Sequence, residues 1–238
     1  MKIVHLSCGL GNRLFAIMRM LTRYRKVEFV WENMGTHEHI SFFDLFEFNY
    51  PIKINNYSTT SSILIDGWIR PQHKVIFNTT GKKILKSWTS DGVGYKTIGC
   101  CICGLPKCIP EIAKHILPHK SLQDDLKKIK LIINKSQSAL HIRNNPAESG
   151  YSPHPKHIRK FLKQKYSFVA FEKDGDVNQS KFLTQNHVRQ YTHNRNTLTG
   201  LRSAVFDMFA LSYAKDIIST KKYSSFHQMS SCLKLAQT

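Results

Sequence analysis

Lys2-Ile3-Val4-His5-Leu6-Ser7-Cys8-Gly9-Leu10-Gly11-Asn12-Arg13-Leu14-Phe15 reads as a buried strand that breaks at a glycine turn and restarts as a helix. Such a turn suits a phosphate. Two glycines let the backbone pass close to a ligand, and the helix that follows aims free N–H groups and its positive dipole end at an anion placed there. Arg13 adds a cationic fork and Asn12 a side-chain amide. The opening therefore sets the class as α/β.

A dinucleotide fingerprint has the same beginning, but it asks for a third glycine three residues after the second and an acid about 20 residues further on. Leu14 occupies the place of that glycine, while Val27-Glu28-Phe29-Val30-Trp31-Glu32 reads as a second strand ending on an acid. An NAD(P)-dependent oxidoreductase using Gly9, Gly11 and Glu32 stands as an alternative. So does a strand-to-helix turn that binds nothing.

The 238 residues suffice for one large α/β domain or two small ones, and 41% hydrophobic and 11% aromatic residues exclude a disordered chain. No apolar run reaches the roughly 18 residues of a membrane span, and the opening lacks the pattern of a signal peptide, so a soluble, cytosolic protein is expected. Lys and Arg number 35 against 16 Asp and Glu, a net charge of +19. That excess predicts an affinity for phosphates, nucleic acid or anionic surfaces. It gathers at residues 19–26, 127–135 and 154–165 but forms no long basic tail, and none of the standard nucleic-acid motifs is present. A nucleic-acid-binding protein would use the charge and leave the glycine turn idle.

Four of the six cysteines fall in Cys100-Cys101-Ile102-Cys103-Gly104-Leu105-Pro106-Lys107-Cys108. Cys100 and Cys103 have zinc-knuckle spacing, but Cys101 is too close and Cys108 lacks a partner at the usual offset, so reduced thiols are expected. His115 and His119 are interrupted by Pro118 and read as surface residues.

Beyond the opening, Leu14, Phe15, Ile17, Met18, Leu21 and Tyr24 give the first helix a buried and a wet face. Ser41-Phe42-Phe43-Asp44 starts like a capping box, Ser62 to Trp68 reads as a strand, and Ser121-Leu122-Gln123-Asp124 caps a helix through Ile133. A second series then begins with a strand at Ser138 to Arg143. It continues with helix His157–Gln164, strand Ser167–Phe171, helix Leu198–Ala214, strand Asp216–Thr220 and helix Phe226–Leu235. Alternation of strands and helices in both halves predicts two parallel sheets covered by helices, with domains 1–135 and 136–238.

Three motifs fall at the C-terminal ends of predicted strands, where open α/β sheets bind ligands. They are the glycine turn, His141-Ile142-Arg143, and Ser219-Thr220 with Ser224-Ser225-Phe226. The Arg143 guanidinium suits a diphosphate held bidentately, and Phe226 suits a base. Each has a plainer reading: Arg143 as a surface ion pair, Ser224 to Phe226 as a helix cap and a core aromatic, Asp207 as a partner for a buried amide. Glu148 and Asp174 are the loop acids available as a general base.

Taken in order, these motifs resemble the fucosyltransferase superfamily of α-1,2, nodulation-type α-1,6 and protein O-fucosyltransferases. Gly9-Leu10-Gly11-Asn12-Arg13-Leu14 is similar to its N-terminal glycine loop, with Cys8 where another glycine is usual, and Asp66-Gly67-Trp68-Ile69-Arg70 to the aromatic segment of the α-1,2 branch. His141-Ile142-Arg143 resembles its His-x-Arg motif, followed here by Asn144-Asn145-Pro146. Phe168 to Asp174 resembles its strand ending in an acidic loop. Asp207-Met208-Phe209-Ala210-Leu211-Ser212 through Ser225-Phe226 resembles its closing motif around the nucleotide. The resemblance implies a GT-B fold of two Rossmann-like domains across a cleft. It also implies a GDP-fucose donor held mainly by the C-terminal domain, a glycan acceptor, and inversion with no metal or cofactor. On the residues here, donor contacts would come from Gly9, Gly11, Asn12, Arg13, His141, Arg143, Asp207, Ser224, Ser225 and Phe226, with Arg143 and Glu148 at the reacting bond.

Overall fold

A computed structural model describes residues 2–6, 9–23, 26–31, 40–48, 52–57, 60–66, 74–78, 108–133, 137–142, 165–171, 197–220 and 224–237. The chain divides into two compact units, Met1–Leu117 and Pro118–Thr238.

In the first unit, β1 (Lys2–Leu6) runs into α1 (Leu10–Arg23) and then β2 (Lys26–Trp31), which lies parallel to β1 with Leu6 opposite Trp31. This is the strand–helix–strand unit that the opening predicts. Leu14, Ile17, Met18 and Leu21 are buried along α1, but so are Arg13, Phe15, Ala16 and Met20. The wet face expected of this helix shrinks to Asn12 and parts of Leu10 and Arg19 among the residues whose side chains are described.

The remaining strands of this sheet depart from an all-parallel arrangement. The order is β1-β2-β6-β5-β4, with β4 (Ile52–Tyr57), β5 (Thr60–Asp66) and β6 (Lys74–Asn78). β6 is parallel to β2, whereas β5 is antiparallel to both β4 and β6. Connection length is the reason. Residues 58–59 and 67–73 are too few for the dozen or so residues that a parallel crossover requires, so both links can only reverse the chain.

Beside this sheet sits an aromatic cluster. Ser41 caps a 3-10 turn over Phe42–Asp44, its Oγ accepting from the Asp44 amide while the Ser41 amide donates to the Asp44 carboxylate at 2.7 Å. The capping box read from the sequence is therefore present, on a single turn. It delivers Phe42 to Trp31 at 5.5 Å, edge to face, and to Phe46 at 5.1 Å, stacked. Phe46 and Phe48 alternate inward on the short strand β3 (Phe46–Phe48), which pairs with β7 (Ile116–Pro118) after the one-turn helix α2 (Pro110–Ala113).

The second unit begins with α3 (Lys120–Ile132), earlier than the boundary expected near Ser136, because α3 packs on α4 (Leu198–Ser212). Its N-cap is His119, whose Nδ1 accepts from the Ser121 amide, where the sequence pattern suggested Ser121 itself. A parallel three-stranded sheet follows in the order β10-β8-β9: β8 (Ala139–Ile142), β9 (Phe168–Phe171) and β10 (Ile217–Ser219). All four residues of the central strand β8 are buried, as a continuous apolar run in a parallel sheet requires. The long helix α4 is capped by Thr197 and buried on most of its circumference from Ser203 to Ser212. It packs against α5 (Ser225–Leu235), α3, β8 and β9. Its buried hydroxyls are satisfied locally: Ser203 donates to the Thr199 carbonyl at 2.9 Å and Ser212 to the Phe209 carbonyl at 2.6 Å.

Cys108 and Cys232 are each disulfide-bonded, which corrects the expectation of reduced thiols and takes Cys108 out of any zinc set. Such bonds are rare in the cytosol. Sequence spacing could not show this, because pairing depends on which sulfurs the fold brings together. No helix among the described residues is long and apolar enough to cross a membrane.

Candidate functional site

Two loci carry the residues singled out by the sequence, one in each unit. In the first, Gly9 is exposed and its carbonyl accepts from the Arg13 amide at 3.1 Å, closing the first turn of α1. The amides of Leu10, Gly11 and Asn12 then precede the helical ladder, and Asn12 is exposed beside them. A Cβ added at Gly9 would meet nothing within 4 Å, and its φ lies outside the left-handed region. Gly11 is buried as the second residue of the helix, so its backbone is helical and the turn itself belongs to Gly9.

Arg13 takes a different place from the one expected. It is 3% exposed, and its guanidinium carbon lies 4.4 Å from the centroid of the Trp31 ring. The helical offset that turns Asn12 outward turns Arg13 inward, over the aromatic at the end of β2. Arg13 thus stacks on core and is not a solvent-facing fork. Leu14, at the position of the missing third glycine, is fully buried, and Glu32 lies outside the described residues.

The second locus is the C-terminal edge of the three-stranded sheet. Register places Ser219 beside His141, so β8 and β10 end together. The Thr220 amide donates to the His141 carbonyl at 3.1 Å, and Ser219 Oγ lies 3.4 Å from His141 Nδ1. His141 is 4% exposed and its ring stacks on Phe226 at 4.9 Å and 27°. Phe226, expected against a base, stacks on His141 and stays partly exposed; the stack is worth about 0.5–1.5 kcal/mol beyond its buried area. Spacing alone could not reveal this pair, since the two residues lie far apart in sequence and meet only through the parallel pairing of β8 with β10.

α5 starts at this edge. Ser224, 2% exposed, is its N-cap, and its Oγ accepts from the His227 amide at 3.4 Å. Ser224 is thus committed to the cap, whereas Ser225 is partly exposed in the first turn. His227 Nε2 donates to the Ile217 carbonyl at 2.9 Å and ties the helix to β10. Its Nδ1 is buried without a hydrogen-bond partner, as is Gln228 Oε1. Sequence reading missed both residues. Their signal lay in the helical offset that sets positions 227 and 228 one turn behind the cap.

Asp207 is buried in the middle of α4, 4% exposed. Arg143 follows directly on the last residue of β8 and lies outside the described residues, as do Glu148, Asp174, Trp68, Glu32, Cys100, Cys101, Cys103 and the expected helix His157–Gln164. Burial raises the hydroxyl pKa of Tyr166 and Tyr213 above their usual value. Both tyrosines remain neutral donors at ordinary pH.

The first unit thus delivers a glycine turn, and the second a histidine, hydroxyls and a helix N-terminus, at the ends of strands in an open α/β sheet. Over nearly its whole length the chain shares its fold with NodZ, an α-1,6-fucosyltransferase. The likeness to the NodZ structure soaked with GDP-fucose covers 98% of this chain and 92% of that one, at a TM-score of 0.60 and 14% identity. The likeness to NodZ co-crystallised with GDP covers 97% and 91% at 0.59 and 15%, and that to the Bradyrhizobium enzyme 96% and 91% at 0.61 and 14%. No protein-family profile matches the chain, and no curated protein matches it in sequence.

Proposed function

We propose that the protein is a glycosyltransferase of the fucosyltransferase type that binds GDP-fucose through its second unit and transfers the sugar to a glycan acceptor with inversion. The observation that carries this reading is the convergence of the β8 and β10 strand ends on the N-terminus of α5, in a fold shared with a GDP-fucose-soaked transferase. Transfer breaks the sugar–phosphate bond while charge builds on the departing diphosphate. Arg143, next in the chain after β8, would meet that charge with two parallel hydrogen bonds, helped by the free amides of the first turn of α5. Removing one such prepositioned donor typically costs about 2.7–4 kcal/mol of barrier lowering. Glu148, five residues after Arg143, is the acid we assign as general base for the acceptor hydroxyl.

We also propose that no metal takes part, since the net charge of +19 can offset a diphosphate and the single Asp-x-Asp spacing, Asp174-Gly175-Asp176, reads as a turn. Calorimetric titration with GDP, UDP, NADH and a short oligonucleotide tests the reading: GDP alone should bind with high affinity. Arg143→Ala should weaken GDP by at least about 1.5 kcal/mol, roughly tenfold. An unchanged dissociation constant in that variant would remove the assignment.

A further inference from the structure

The helix α3 carries an arrangement that the transferase reading does not use. Leu122 and Leu126 are buried against the rest of the second unit, Ile129 is half-buried and Ile133 closes the same stripe. At about 100° per residue, Leu131 lies about 180° from Leu122, at the centre of the outward face. An amphipathic helix puts a polar residue there. Leu131 is instead 88% exposed and Ile132, beside it, 47%.

Charge surrounds these two side chains. Lys127 and Lys128 sit one turn back on the same face, their side chains 75% and 76% exposed. Each reaches backwards to an acid, Asp124 at 3.0 Å and Asp125 at 3.6 Å, pairs too exposed to hold the lysines in place. Lys130 leans over the Tyr213 ring at 5.2 Å. No acid occurs from Leu126 to Ala147, a stretch that also holds Lys135 and Arg143.

We propose that the C-terminal half of α3 docks on an anionic lipid bilayer, with Leu131 and Ile132 entering the headgroup–acyl boundary and Lys127 and Lys128 meeting lipid phosphates. Complementarity of charge and phase selects this occupant. An anionic bilayer offers negative headgroups above an apolar layer, which matches lysines above two bare aliphatic side chains. A nucleic acid would satisfy the lysines and leave the aliphatics in water. Its usual stacking partners are aromatic, and the exposed large apolar side chains among the described residues are Leu131, Ile132 and Leu235. A transferase held at a membrane would meet acceptors carried on lipid, but docking stands independently of that activity.

The test is co-sedimentation of the intact protein with vesicles of phosphatidylcholine alone or with about one-third phosphatidylglycerol. Binding should be confined to the anionic vesicles and weaken with added salt. Leu131→Gln with Ile132→Gln should lower partitioning by at least about tenfold while leaving the melting temperature unchanged, because both side chains are exposed. Lys127→Gln with Lys128→Gln should flatten the salt dependence. Leu131→Trp supplies a second readout, a blue shift of its emission on adding anionic vesicles. Equal binding to both vesicle types, an unaltered double variant, binding to an oligonucleotide in place of vesicles, or a dimer that the double variant dissolves would each overturn the proposal.

Discussion

Arg13→Ala separates a structural from a ligand-binding role for the opening helix. With Arg13 3% exposed and its guanidinium 4.4 Å from the Trp31 centroid, the pair is desolvated, and such a cation–π contact is worth about 2 kcal/mol. Truncation to alanine also removes two buried methylenes at about 0.8 kcal/mol each. Against this, a cation leaves the positive end of α1, which returns about 0.5 kcal/mol. The net loss is about 3 kcal/mol, equivalent to about 10 °C in melting temperature for a protein of this size. Arg13→Met, which keeps the stem, should lose about half as much. Thermal unfolding followed by tryptophan fluorescence, paired with GDP titration on the same preparations, reads both effects. A variant that melts with the wild type but loses GDP affinity would refute the reasoning and place Arg13 at the ligand.

Gly9→Ala should leave the stability within about 0.5 kcal/mol of wild type, because the new Cβ meets nothing within 4 Å, yet lower donor turnover if a ligand passes close to this turn. Full turnover in that variant would take the glycine turn out of the site. Tyr166 and Tyr213 have folded pKa values raised by burial, so the stability that depends on their protonated form is complete below about pH 10 and is lost as the pH rises through the folded values. Melting temperature and 295-nm absorbance followed together on alkaline titration should show ionisation accompanied by unfolding; ionisation of all tyrosines in a still-folded chain would contradict it. Reduction of the disulfide bonding at Cys108 and Cys232 should destabilise the protein by about 2–4 kcal/mol per bond broken, read as a lower denaturation midpoint in dithiothreitol. An unchanged midpoint would show that disulfide bonding there does not constrain the unfolded chain.

The sequence alone determined what short-range chemistry controls. Glycine, a capping serine and helical periodicity mark the β1–α1 turn, the Ser41–Asp44 box and helices at Leu198–Ala214 and Phe226–Leu235, which the structure ends at Ser212 and starts at Ser225. It also placed His141, Ser219 and Phe226 at strand and helix ends. What those ends touch was decided by tertiary pairing. Ser219 meets His141 through strand register, and Phe226 reaches the histidine ring because α5 folds back on β10. Neither contact leaves a trace in local spacing. The direction of β5 was set by how few residues join it to its neighbours, a length visible in the sequence only once β4 and β6 are recognised as strands. The inward turn of Arg13 followed from an aromatic side chain on another element, and long-range packing of that kind outweighed the helix-terminus electrostatics read locally. Propensity and capping act over three or four residues. Burial is shared among residues that meet only when the whole chain has folded.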